Sequence, residues 1–327
     1  MVVPRAGSAQ GDEHARDARE EHDLYCPFPL EENPWAARAQ AESLAWAVDL
    51  GLVKDDPTRT KLERACLGDL EGCAFPKAPP EVLGLATVWV TLFCAIDDFV
   101  ESSHLGTLAL SGYLSKALAA FRGRASVRGD ALIRGFYALG RQMRALLGKV
   151  PAQDFARELE ALFTAYIWEE LNRQNATDPD YSGYRIMRVT TIGLRPQFLL
   201  SEALCTSGPL PLESKADLAE LERITCRVVG WANDIFTYEK ELAAGEAHNL
   251  VAVLMKSEGL PVRQALRRAR SLHDEEMCAF LRLQARVRGA ARANPAVEYR
   301  LAHLRHWMRG HLHWATRNGR YRPAAAA

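Results

Sequence analysis

Two clusters of oxygen-bearing side chains carry the most legible chemistry in this sequence. The first is Asp97-Asp98-Phe99-Val100-Glu101, and the second runs Asn233-Asp234-Ile235-Phe236-Thr237-Tyr238-Glu239-Lys240-Glu241. On a helix each residue advances about 100°, so Asp97 and Glu101 stand about 40° apart on one face. Asn233, Thr237 and Glu241 repeat that four-residue step and supply an amide oxygen, a hydroxyl and a carboxylate. Hard donors on two stripes that face one cavity suit a divalent cation, above all Mg2+ carrying a phosphate ligand. Lys240, beside Glu241, adds a point charge for that phosphate.

The neighbours of these clusters separate a site from a solvated helix face, where an Asp-Asp-x-x-Glu string is common. Trp89, Leu92, Phe93 and Ile96 precede the first cluster, and Val228, Val229 and Trp231 precede the second. Charges at the end of such apolar stretches are costly unless something binds them. Phe93, one turn ahead of the acids, sets a π-face beside the metal site, an arrangement suited to an apolar substrate whose chemistry generates positive charge.

Helices must position these side chains. Apolar residues recur at helical spacing over 35–52, 81–103, 108–122, 131–147, 154–174, 184–202, 212–243, 250–256, 261–290 and 296–317, with no alternating strand pattern and no internal repeat. Gly72, Pro76 and Pro79-Pro80 mark 69–80 as a loop. Within 184–202, Pro196 lacks an N–H, so the carbonyl of Ile192 loses its helical partner, and Gly193 loosens the same turn. A helix broken there points a free carbonyl into whatever cavity it lines.

The 327 residues form one all-α domain over 25–321, with disordered segments at 1–24 and 322–327. Lys+Arg and Asp+Glu both number 41, so no global field argues for nucleic acid or an anionic membrane. The longest apolar run, 82–96, is shorter than the ~20 residues of a membrane span and reads as a core helix. Seven scattered cysteines without a C-x-x-C pair fit a reducing cytoplasm rather than a disulfide framework.

With these residues in order, the chain resembles the bacterial class I terpene synthases (terpene cyclases) over about residues 25–321. Asp97-Asp98-x-x-Glu101 matches that family's aspartate-rich motif, and Asn233, Thr237 and Glu241 match its metal-binding triad. A chain-elongating prenyltransferase is expected instead to carry a second Asp-Asp-x-x-Asp. Arg188 lies 45 residues before Asn233 in a Tyr184-x-x-x-Arg188 context, and Tyr321 lies 80 residues past Glu241 in an Arg320-Tyr321 pair, both as in the family.

The resemblance implies a helical bundle around an apolar cavity, three Mg2+ ions and a prenyl diphosphate substrate. Asp97, Asp98, Glu101, Asn233, Thr237 and Glu241 would ligate metal. Arg188, Lys240, Arg320 and Tyr321 would grip the diphosphate, with Asp98 orienting Arg188. Ile192 or Gly193 would carry an effector carbonyl, and Phe93 and Trp314 would face the cavity. His248-Asn249-Leu250 reads as a helix cap, and Glu169 and Glu170 as partners of arginines. Farnesyl diphosphate is the expected substrate, with geranyl and geranylgeranyl diphosphate, a chain elongase and a silent isoprenoid carrier as the alternatives. The family also implies a homodimer, with no nucleic acid or membrane partner.

Overall fold

A computed structural model describes residues 24–124, 129–205, 208, 210–290 and 294–321. Thirteen helices are present among them and no strand. They are α1 (Ala36–Asp49), α2 (Asp56–Ala65), α3 (Leu67–Ala74), α4 (Pro80–Ser103), α5 (Thr107–Phe121), α6 (Ala131–Leu146) and α7 (Lys149–Gln174). The rest are α8 (Tyr181–Thr191), α9 (Arg195–Leu204), α10 (Leu212–Ala243), α11 (Leu250–Ser257), α12 (Val262–Ala290) and α13 (Pro295–Arg317). The expected terminal segments fall outside the described residues except for Leu24, which is buried.

Helix α4 is the apolar spine. Pro80 sits in its first turn, where a missing N–H costs nothing. Its mean hydropathy of 1.7 over an 18-residue window would suit a membrane span, but 67% of that window is buried inside the protein. It packs against α1, α3 and α6, while α10 packs against α12 and α13. The two motif-bearing helices are therefore held by separate sets of neighbours. Between them runs the interrupted pair α8–α9: α8 lies on α10, and α9 touches α4.

The break falls where Pro196 placed it. Helix α8 ends at Thr191, Ile192 caps it, and Gly193 turns the chain with φ +74° before α9 begins. A Cβ at Gly193 would stand 2.5 Å from the Phe93 ring, so both the backbone angle and the close approach require glycine there.

One expected loop is corrected. Residues 67–74 are helical, overlapping the stretch 69–80 read as loop, because the helix's glycines serve packing rather than turning. A Cβ at Gly68 would meet the Ala36 carbonyl at 2.5 Å, and one at Gly72 the Ala36 side chain at 2.7 Å. Helix α2 also forms without having been anticipated, capped by Asp55 accepting from Thr58 N.

Candidate active site

The cavity that joins the two clusters is lined at one end by Asp97, Arg188, Asn233, Thr237, Lys240, Glu241, Arg320 and Tyr321. Its apolar lining includes Trp89, Phe93, Val229, Trp307 and Trp314. Asp97 and Trp89 are eight residues apart on α4, about 12 Å along the helix at 1.5 Å per residue. The lining thus grades from charged to aromatic along that helix.

On α10 the oxygen donors sit in a buried network. Arg188 reaches from α8 to place Nη2 2.5 Å from Asn233 Oδ1 and 2.7 Å from Asp234 Oδ1. Gly230 makes room for the Arg188 stem, since a Cβ there would lie 3.1 Å from its Cγ. Asp234 is fully buried and also accepts from the Tyr184 hydroxyl at 2.7 Å and from Leu250 N at 3.0 Å. Burial pushes its carboxyl up, and Arg188, Tyr184 and Leu250 oppose that push. Burial likewise resists the Arg188 charge, but Asp234, Tyr184, Glu241 and Glu169 outweigh it and fix the guanidinium as a cation.

Asn249 caps α11 as expected, accepting from Val251 N, and its amide donates to Glu241 Oε2 at 2.9 Å and to the Asp234 carbonyl. Burial, then the Asp234 charge, raise Glu241. The Thr237 hydroxyl donates to the Asn233 carbonyl one turn back and also lies within hydrogen-bonding reach of the Glu241 carboxylate.

On α4 the acids are held differently. Asp97 accepts from Tyr166 at 3.3 Å and lies 3.6 Å from Arg320 Nη2; burial raises its carboxyl and Arg320 opposes. Asp98 pairs with Lys61 Nζ at 2.6 Å and Arg320 at 3.3 Å, which together outweigh burial and hold it below the usual carboxylate range. The expectation that Asp98 orients Arg188 is corrected: it holds Arg320, and Asp234 holds Arg188. Glu101 is exposed at the helix end and absent from the cavity lining.

The chain after α13 closes over both clusters. Arg320 reaches the α4 aspartates, and the Tyr321 hydroxyl accepts from Asn233 Nδ2 at 2.5 Å. Trp314 lines the cavity edge-on to Tyr321 at 5.0 Å, its indole donating to the Ala65 carbonyl. Lys240 is exposed at the rim, and Ile192, Gly193 and Phe93 meet at the break. The enclosed volume is about 110 Å3, well under the roughly 300 Å3 at which ligand pockets begin. Arg320 and Tyr321 stand where a ligand would have to enter.

The donor set fits a hard cation, with two carboxylates, an amide oxygen and a hydroxyl around one cavity. Among the described residues no three Asp, Glu, His or Cys side chains form a metal cage by themselves. Such a split set suits an ion completed by substrate phosphate. Arg188 Nε, buried and without a partner, adds a donor inside the same site. Sequence reasoning missed Asp234, Lys61, Tyr166, Gln197 and His311. Asp234 was within reach, because Tyr184 and Arg188, one turn apart, require a shared acceptor. Glu170 does pair with Arg173, as expected, at 3.2 Å.

An all-helical bundle whose cavity sets an acidic helix end against an Asn/Thr/Glu helix face is the architecture of the class I terpene synthases. A family model described as "Terpene synthase family 2, C-terminal metal binding" matches residues 88–279, more than half of the chain, and the chain belongs to this family. It is an enzyme of the bacterial class I terpene synthase type, acting on a prenyl diphosphate and built to bind a divalent metal. It is 29% identical over 308 residues to (+)-T-muurolol synthase ((2E,6E)-farnesyl diphosphate cyclizing) of Roseiflexus castenholzii, covering 92% of this chain and 93% of that one. Germacrene A synthase of Nostoc punctiforme is 24% identical over 306 residues, covering 91% and 94%. The crystal structure of linalool/nerolidol synthase from Streptomyces clavuligerus matches with a TM-score of 0.79 at 23% identity, covering 90% of this chain and all of that one, which shows the fold.

Proposed function

We propose that this chain cyclises farnesyl diphosphate to a sesquiterpene, with residues 25–321 as its catalytic domain. One observation carries this reading: Asp97, Arg188, Asn233, Thr237 and Glu241 converge on a single cavity whose lining also includes Trp89, Phe93, Val229, Trp307 and Trp314. The relatives named for farnesyl diphosphate cyclisation and germacrene A support a fifteen-carbon substrate.

Asp97, with Asp98 and Glu101 beside it, and Asn233, Thr237 and Glu241 are the residues that would hold Mg2+, three ions in this reading. Bound Mg2+ supplies positive charge that stabilises the departing diphosphate. Arg188 and Lys240 add charge-assisted hydrogen bonds to the same group. Arg320 exchanges the aspartates for the diphosphate, and Tyr321 moves with it, closing the cavity against water. The allylic C–O bond breaks with both electrons leaving on the diphosphate. The carbonyl freed at Ile192, reoriented by Gly193, directs its negative end toward the cation that remains. Phe93 and Trp314 offer π-faces while a distal double bond attacks. Loss of a proton to the diphosphate then completes a hydrocarbon. A homodimer and a cytoplasmic location belong to the same reading and rest on the family alone.

Incubation with C10, C15 and C20 prenyl diphosphates and Mg2+, followed by gas chromatography–mass spectrometry, tests it. Cyclic C15 products are expected from farnesyl diphosphate, and Asp97→Ala and Asn233→Ala should each lower kcat/KM roughly 100-fold or more. Linear products, an isopentenyl diphosphate requirement, or full turnover in either variant would overturn it.

A further inference from the structure

Glu71 is the most deeply buried acid that the mechanism above does not use. It lies on α3 with 0% exposure, and Gln197 Nε2 donates to its Oε1 at 2.8 Å. Gln197, 1% exposed, lines the cavity together with Leu67 and Leu70 of α3. The remaining oxygens of both groups, Glu71 Oε2 and Gln197 Oε1, are buried without a partner. Two orphan acceptors on one hydrogen-bonded pair are costly as they stand. A single proton on Glu71 Oε2 satisfies both, since it turns that oxygen into a donor for the amide oxygen.

We propose that Glu71 and Gln197 form a neutral, two-point acid–amide pair in the cavity wall, and that this pair fixes the amide that steers the carbocation to its product. The steering role rests on the cyclase reading; the pairing does not. Burial drives Glu71 well above the usual carboxylate range against the opposing hydrogen bond from Gln197, in the direction the pairing requires. An ionised Glu71 would leave both its own Oε2 and Gln197 Oε1 without a donor. The neutral acid supplies that donor and holds the Gln197 amide in one orientation in the cavity wall. Gln197 stands beyond the break from Arg188, so the pair acts on the hydrocarbon rather than on the leaving group. Glu71 is a positioning residue and Gln197 the group that meets the substrate.

Two measurements test the proposal. At neutral pH, the infrared difference spectrum between the parent and Glu71→Gln should contain the carbonyl band of a protonated acid; carboxylate bands in its place overturn the pairing. Glu71→Gln preserves a two-point pair, so its product ratio should match the parent. Glu71→Leu should release diphosphate within about threefold of the parent rate yet change the ratio of major to minor products by roughly threefold or more. Gln197→Leu should shift the ratio too, and carries the test if Glu71→Leu fails to fold. An unchanged ratio in the leucine variants, or a shift in Glu71→Gln as large as theirs, overturns the steering role. If the parent releases no diphosphate from any prenyl substrate, the cyclase reading and the steering role fall together, and the infrared band still decides the pair.

Discussion

On α10 the ligand-bearing residues stand in a buried lattice whose members each have two or three partners, whereas on α4 the acids sit at an open helix end held by long side chains. Asp234, Arg188, Tyr184 and Asn249 brace one another through hydrogen bonds of 2.7–2.9 Å. Asp98 is gripped by Lys61, whose side chain is 48% exposed, and by Arg320 from beyond the last helix. The contrast separates two physical jobs. The braced side has its geometry set before any ligand arrives, so little ordering remains to be done. The loose side can release Arg320 and accept new partners, because Asp98 keeps Lys61, whose half-exposed side chain can shift with it.

The largest expected effect lies on the braced side. Asp234→Ala should leave the Arg188 guanidinium in the interior without its paired carboxylate and the Tyr184 hydroxyl with only the His248 carbonyl, and cost about 3–5 kcal/mol, read as a fall in denaturation midpoint. A loss under about 1 kcal/mol would dissolve the contrast. Next comes the break between the two sides. Gly193→Ala imposes both a left-handed backbone and a clash with Phe93, for roughly 1–3 kcal/mol, and Phe93→Leu in the same chain should restore part of it through a measurable coupling energy.

Asp98→Ala is expected to cost under about 1 kcal/mol in metal-free protein. A loss as large as that of Asp234→Ala would show that the open side is braced after all. The smallest effect is in acid. Burial resists the charge of Glu246, but hydrogen bonds from His248 and the charge of Arg173 hold its carboxyl down to about 2. The folded value lies below the ordinary 4.5, so its contribution is complete above that pH and is lost as pH falls from there through about 2. Glu246→Gln should flatten this part of the stability–pH curve.

Much of the site was legible because metal ligation imposes a spacing on helices. Asn233, Thr237 and Glu241 do line one cavity with Asp97, and Pro196 did mark the break. The ordered partners were harder to see. A side chain that braces a ligand obeys no period, only proximity across helices, so Lys61 behind Asp98 left no pattern, and Asp234 behind Arg188 left only the Tyr184–Arg188 spacing. Helix α3 was hidden by its own glycines, whose two uses, turning and close packing, look alike in a string of letters. Glu71 lies inside that helix, and an acid in a supposed loop invites no question.

The interruption between α8 and α9 has a mechanical consequence. A continuous rod resting on two supports resists their separation and bends along its length. A rod cut in the middle concentrates any displacement at the cut. With α8 seated on one motif helix and α9 touching the other, a change in the gap between the two supports is taken up by the torsions of Ile192, Gly193 and Leu194. The same three residues line the cavity, so the joint that absorbs the movement also turns its backbone dipoles within it.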